Sequence, residues 1–562
     1  MRNMNKLLIL FALFSVLKQS AWFPMQLILC ICLFFFVIIS VFFKRNVENS
    51  SSELDPDLIS GNRYAIGFFI MLCICFFIPV ATFKADIYRA VFELLRWFLL
   101  VFPFFISKRE SKRCMMKGIY YGCTAAAFIG IIAFFMPVYF FTGEAAKWAK
   151  EIDGVYRMQS IFAYANTTAV ICGAGIFLGI YFWEESNRKK PIHFMWITIN
   201  CIAMVLTFSR LGMVCFMIAA LFIFCKKYKM FKYISAVFAA VFVVTTIILF
   251  VLGKENLLLG STLACRFIYW YDAFFVILKN PLGIGASTWE NLQYKIQSAI
   301  YHMQYVHNGF LQLALEGGVA ALATFIAFIV YCLKPGRDKE KNKVTDHDSY
   351  ILAIIILIIL HSFVDIDLSY PTILVILGIM LSYIKSASVP VSGTSPDTVL
   401  MPGSDTGKSK EAKFRTSPER VPCSVIMVTS IAFILAAAVF PKAYKANKPE
   451  SADAYEEIIA KYEKSPGDIE LISKLYNDAY QKNDPEGMYV WSKELITAAP
   501  RCQWAYNDYV SSMNQFFEDK NDEKYIEEKN ALYERVEIIN NTMNPLCKYL
   551  SKHRTIVITG LD

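Results

Sequence analysis

Charge is scarce in this sequence. Of its 562 residues only 18% are Asp, Glu, Lys or Arg, while 56% are hydrophobic and 15% aromatic. Soluble domains carry about a quarter charged residues, so a water-soluble enzyme of this size is excluded. Paired cysteines are lacking too. The 15 cysteines include no Cys-x-x-Cys pair, and none has a histidine at zinc-ligand spacing. Most lie inside apolar runs, as Cys30, Cys32, Cys73 and Cys75 do, where they read as small packing residues. His302 and His307 stand off the i, i+4 register of a helical metal pair, so no metal is assigned. No repeat among the apolar runs is visible, and no cofactor is called for.

What is present is a series of apolar runs near 20 residues long, the length that crosses a hydrocarbon core about 30 Å thick. The sequence predicts an all-α, polytopic membrane helix bundle with twelve to thirteen spans, at 6–21, 23–43, 64–83, 87–106, 115–141, 163–183, 192–208, 211–225, 233–252, 308–333, 350–363, 370–385 and 423–441. Leu7–Leu17 resembles a signal-peptide core. Lys18-Gln19-Ser20-Ala21-Trp22 is a poor cleavage site, so this run is expected to stay as a short first span.

The net charge of +9 is unevenly placed. From Lys442 onward there are 16 Lys/Arg against 21 Asp/Glu, and before it 40 against 26. The positives sit in short loops, at Lys44-Arg45, Lys108-Arg109, Arg188-Lys189-Lys190, Lys226-Lys227, Lys334 to Lys343 and Lys385 to Arg420, while alternate loops are poor in them. That is the asymmetry of cytoplasmic loops, and no nucleic-acid footprint. The N-terminus is then cytoplasmic, and segments 142–162, 253–307 and the tail after about 442 face outward.

The long outer loop 253–307 contains an amphiphilic aromatic stretch, Leu263–Leu278, ended by Asn280-Pro281-Leu282-Gly283-Ile284-Gly285. It reads as a short helix against the membrane face, with Trp270 and Tyr271 at headgroup depth. Residues 386–422, rich in Ser, Thr, Pro and Gly, read as a cytoplasmic linker, and 423–441 as a further span. In the tail 442–562, Pro466 and Pro500 are 34 apart and each follows a helical stretch, which is the period of tetratricopeptide units.

With this topology Arg157, Arg210, Arg266 and His307 converge on one membrane face that is otherwise poor in positive charge. An arginine near hydrocarbon is costly, and an anion beside it offsets the cost. The plainer reading of each arginine is a snorkelling anchor, and of His307 a hydrogen-bonded interfacial residue. Glu316 turns away from His307 on an unbroken helix and serves a structural partner, while Gly317 with Gly318 permits close packing.

Four stretches in order resemble the O-antigen ligase and O-antigen polymerase family of bacterial envelope glycan enzymes. They are Arg157-Met158-Gln159-Ser160-Ile161-Phe162 leading to Asn166; Thr207-Phe208-Ser209-Arg210; Arg266 and Trp270 ahead of Pro281-Leu282-Gly283-Ile284-Gly285; and His307-Asn308-Gly309-Phe310-Leu311 with Glu316-Gly317-Gly318. The resemblance covers about residues 5–385. It implies a cytoplasmic- or inner-membrane glycosyltransferase acting on the outer face, with an undecaprenyl-diphosphate-linked glycan as donor and a glycan, lipid or protein hydroxyl as acceptor. Arg210 and Arg266 match the family's diphosphate-binding arginines and His307 its essential histidine. Arg157, Asn166, Trp270 and Asn308 are the further substrate-binding candidates. The extra span at 423–441 departs from the family pattern and puts the tail outside, available to an envelope protein partner.

The chemistry suits these residue types. Charge grows on the departing diphosphate, which arginines stabilise, and an imidazole takes the proton of the attacking hydroxyl, so that one-step attack inverts the anomeric centre without a metal. The competing class is a flippase for lipid-linked glycans, which would place charges near the bilayer midplane in repeat-related broken spans. An oligosaccharyltransferase acting on protein Ser or Thr is a variant of the first reading, and a sensor or scaffold is a third. Thirteen spans exceed what anchoring needs.

Overall fold

A computed structural model describes Lys6, Ala12 and residues 56–106, 109–135, 149–152, 155–186, 190–227, 256–334, 348–387, 455–464, 466–542 and 555–561. The expected spans 23–43, 233–252 and 423–441, and the linker, lie outside the described residues.

The membrane part is a helix bundle. Its helices are α1 (Pro56–Phe83), α2 (Ile87–Val101), α3 (Arg109–Phe135), α4 (Ala165–Glu185), α5 (Pro191–Leu206), α6 (Arg210–Lys227), α7 (Asn256–Lys279), α8 (Trp289–Ile296), α9 (Gly309–Leu333), α10 (Asp348–Ser362) and α11 (Pro371–Ala387). Four carry stretches long and apolar enough to cross a bilayer: Arg63–Phe83, Arg109–Phe135, Ala165–Glu185 and Gly309–Leu333. The protein is a membrane protein. The one sheet among the described residues is a hairpin of β1 (Ala149–Ile152) and β2 (Val155–Met158), antiparallel with Lys150 opposite Arg157.

Helix ends follow local chemistry. Asp86 caps α2 by accepting from Tyr88 N at 2.7 Å, and Pro191 starts α5, where its missing N–H costs nothing. The expected span 87–106 stops being α-helical at Val101, because Pro103 turns the next four residues into a 3-10 helix. α4 and α5 form a close pair, α9 packs on α1, α10 on α4 and α6, and α11 on α2 and α3. Their shared core includes Phe69, Phe76, Phe98, Phe102, Phe177 and Phe325, all buried.

Two glycines reshape the expected span 308–333. At Gly318 the backbone turns to φ 82, ψ 171 and breaks α9. Carbonyls released by the break accept from the Pro281–Gly285 turn, Ile284 N to Leu315 O at 2.8 Å and Gly285 N to Glu316 O at 3.0 Å, while Val319 N donates to Pro281 O at 2.9 Å. Gly283, at φ 91, lies so close that a Cβ there would stand 2.5 Å from Glu316 O. The turn that ends α7 is thus built into the helix that follows His307.

The amphiphilic segment is longer than the expected Leu263–Leu278. α7 buries Ile268, Tyr269, Ala273, Val276 and Ile277 against Trp289, Tyr301, Ala314 and Leu315. It exposes Phe267, Tyr271, Phe274, Phe275 and Leu278 on its other side, as an amphipathic helix at a lipid face does. The tail is helical, with α12 (Tyr455–Lys464), α13 (Ile469–Gln481), α14 (Pro485–Ala498) and α15 (Gln503–Phe516) packed in succession, then α16 (Glu523–Asn541), and with Leu495, Tyr506, Tyr509 and Met513 in its core. Asp468 and Asp484 cap α13 and α14.

Candidate active site

A buried carboxylate organises the bundle's polar end. Asp365 lies in the short connection between α10 and α11, wholly removed from solvent. A bare charge there would be very unfavourable, and both of its oxygens are occupied. Oδ2 accepts from Asn166 Nδ2 at 2.7 Å and from Arg266 Nη2 at 2.9 Å. Oδ1 accepts from Tyr164 OH at 2.7 Å and Ile366 N at 2.8 Å, with His307 Nδ1 at 3.3 Å. Burial opposes ionisation, but the Arg266 guanidinium and the His307 imidazole hold the carboxyl well below the usual carboxylate range.

His307 is held by its backbone as firmly as by its ring. Its φ of 50 lies in the left-handed region, unusual for a residue with a side chain. Trp270 Nε1 donates to its carbonyl at 3.1 Å, and Gly309 N donates to Asp365 O at 3.1 Å. The following residue, Asn308, caps α9 with Oδ1 accepting from Phe310 N and Leu311 N at 3.0 Å. The preceding one, Val306, donates to Gln312 Oε1 at 3.0 Å, and Gln312 Nε2 donates to Glu316 Oε1 at 2.9 Å. Glu316 also accepts from Ser287 N at 3.0 Å, so it ties the Gly283–Ser287 turn to the helix below the histidine. Gly317 faces Phe76, where a Cβ would come within 3.3 Å of the ring.

With Asp365 accepting at Nδ1, the proton of a neutral imidazole belongs on that nitrogen. Nε2 is then a lone-pair acceptor, and the side chain is 17% exposed.

The arginines divide into two kinds. Arg157 Nη2 donates to Asn166 Oδ1 at 2.7 Å and its Nε to Thr207 O at 3.0 Å. Ser209 Oγ donates to the same Asn166 oxygen at 3.0 Å. Arg157 thus orients the amide that in turn grips Asp365. Arg266 is nearly buried and bonds to Asp365 and the Val364 carbonyl. Arg210, at the start of α6, is exposed, and among the described residues its guanidinium has no hydrogen-bond or ion-pair partner. Burial weakens Arg157's hold on its proton, Tyr164 and Asp365 oppose this, and the positive charges of Arg266 and Arg210 add to it. Among the described residues the guanidinium groups of Arg157, Arg210 and Arg266 influence one another around Asp365, an arrangement that suits an anionic ligand.

The structure gathers His307, Arg266, Arg157, Asn166 and Trp270 around one point, with Arg210 beside them. Sequence reading missed Asp365 and Tyr164, the two residues that join them. It also missed a buried second layer, where Asp367 accepts from Thr167 Oγ1 at 2.8 Å and meets His361 Nδ1. The available signal was Val364-Asp365-Ile366-Asp367, two acids in a short connection between apolar runs.

Residues 193–326 match the family model described as O-antigen ligase. The match takes in Arg210, Arg266, Trp270, His307, Asn308 and Glu316 and stops short of Arg157, Asn166 and Asp365. No curated protein matches the chain.

Proposed function

We propose, from the premise that residues 193–326 are an O-antigen ligase domain, that this membrane glycosyltransferase moves a glycan from an undecaprenyl-diphosphate carrier to an acceptor hydroxyl. The observation that supports the reading is His307 Nδ1 facing Asp365 Oδ1 at 3.3 Å within an arginine-rich rim.

His307 acts as general base. Asp365 fixes its tautomer and favours the imidazolium that forms when the acceptor hydroxyl gives up its proton to Nε2. The hydroxyl oxygen attacks the anomeric carbon as the bond to the diphosphate oxygen breaks, and attack from the opposite face inverts that carbon. The leaving diphosphate gains charge, which Arg210, with Arg266 behind it, stabilises at the lipid–water boundary. Trp270 and Asn308 hold the histidine turn. The active rim and the tail lie on the outer face of the cytoplasmic membrane.

Purified protein in lipid nanodiscs, given an undecaprenyl-diphosphate oligosaccharide and an acceptor glycan, is expected to release undecaprenyl diphosphate. His307→Ala should lower turnover by about 10²–10⁴-fold while donor binding persists. Full turnover by His307→Ala, or movement of the intact lipid across proteoliposomes without its cleavage, would overturn the reading.

A further inference from the structure

The tail is fastened to the segment that leads into His307. Arg501, in the turn between α14 and α15, donates its backbone N–H to Tyr294 O at 3.1 Å. Its carbonyl accepts from Gln297 Nε2. Its Nη1 donates to the carbonyls of Ile296, at 3.3 Å, and Gln297. Ile296 is the last residue of α8, so the guanidinium satisfies carbonyls that a helix end leaves open and places positive charge at the negative end of its dipole. Tyr294 itself is 3% exposed and belongs to the tail's core, edge-on to Trp504 at 6.1 Å.

The chain between this anchor and His307 is not helical. It is held on its other side by Asp272 Oδ2, which accepts from Ser298 N and Tyr301 OH at 2.8 Å each. Asp272 is on α7, the helix that carries Arg266 and Trp270. Gln293 Oε1 closes the segment by accepting from Met303 N at 2.9 Å. A ten-residue strap, 297–306, is thus clamped between the tail and α7, and the left-handed histidine follows directly on it.

We propose that Arg501 is a positioning residue: by clamping the 297–306 strap it sets His307 against Asp365, which makes the tail a working part of the transferase. This rests on the general-base role proposed for His307. The tail touches no reacting atom. Its contribution is to the geometry of the base, so losing the clamp lowers turnover and leaves the arginine rim able to bind donor.

The test uses the full chain in nanodiscs with Arg501→Ala, Gln297→Ala and, as a control on the exposed Asp478 pair, Lys482→Ala. Amide exchange and modification of His307 by diethyl pyrocarbonate are read by mass spectrometry, beside kcat and donor KM. Arg501→Ala and Gln297→Ala should speed exchange in 297–307 and change the His307 modification rate several-fold. They should lower kcat by about tenfold with donor KM within about twofold. Gln297→Ala removes a bond from the strap side, so a misfolded tail in Arg501→Ala does not decide the matter. Unchanged strap exchange and histidine modification in both variants overturn the proposal, as does altered exchange with wild-type kcat. A wild-type protein that transfers nothing counts against the transferase reading, while exchange and modification still decide the clamp.

Discussion

Arg266 Nη2 and Asp365 Oδ2 lie 2.9 Å apart, joining α7 to a connection 99 positions further along the chain. Asp365 is also the partner of His307, so one carboxylate fixes an arginine and a histidine together. The pair compensates a buried guanidinium and a buried carboxylate within the fold itself. It also divides the labour among the arginines, since Arg266 has a partner at rest and Arg210 has none among the described residues.

That pairing predicts a double-mutant signature. Arg266→Ala alone strands a buried carboxylate, and Asp365→Ala alone strands a buried guanidinium, each expected to destabilise by about 3–5 kcal/mol. Removing both should recover most of the stability and none of the activity. Thermal unfolding of the three variants in one detergent, beside a turnover assay, checks this. Additive destabilisation would mean that the two charges do not depend on each other.

Arg210 is predicted to behave in the opposite way. Among the described residues its exposed guanidinium holds nothing, so Arg210→Ala should leave the melting temperature unchanged. A charge-assisted contact to the diphosphate is worth about 1.5–3 kcal/mol, so kcat/KM for the donor should fall roughly 10- to 100-fold. An undiminished kcat/KM at Arg210→Ala would remove this residue from the donor site.

Gly318 should tolerate no side chain. Its φ of 82 is strained for any L residue, and a Cβ would lie 2.7 Å from Pro281 O. Gly318→Ala is expected to cost about 3 kcal/mol, and it should disturb the turn that Glu316 anchors beneath His307. Gly67, where a Cβ would meet nothing within 4 Å, supplies the control: Gly67→Ala should be neutral or mildly stabilising. Equal melting temperatures for the two variants would contradict the break in α9.

The apolar helices were legible because long runs of apolar residues with few charges are the pattern that lipid selects. α4, α5, α6, α10 and α11 begin and end within about two residues of the expected bounds. The break in α9 was not, since glycine inside an apolar run fits tight packing as well as a kink, and the Pro281–Gly285 turn that decides between them is distant in sequence. Arg157, Arg210, Arg266 and His307 were legible as basic residues beside apolar runs. Asp365 was not, because its meaning lies in Asn166, 199 positions away. A reading that follows positive charge along the loops passes over the carboxylate that organises it.

The tail carries its own pH signature. Burial pushes the Asp508 carboxyl, on α15 next to the core residue Tyr509, up from 3.8 to about 6. Between those values the folded tail holds a proton that the unfolded chain has released, so this residue stabilises the tail at acid pH. Its contribution is lost as pH rises through about 6. Asp508 is partly solvated, which keeps the effect to about 1 kcal/mol. Asp508→Asn should remove the dependence and make α15 more protected at neutral pH. Amide exchange of 503–516 in wild type and variant, corrected for chemical exchange at pH 5 and pH 7.5, isolates this residue from the other titrating groups. If the wild-type tail gained protection relative to the variant on going to pH 7.5, the carboxylate would have to be serving as an ionised partner, and the assignment of a buried, proton-retaining Asp508 would fail.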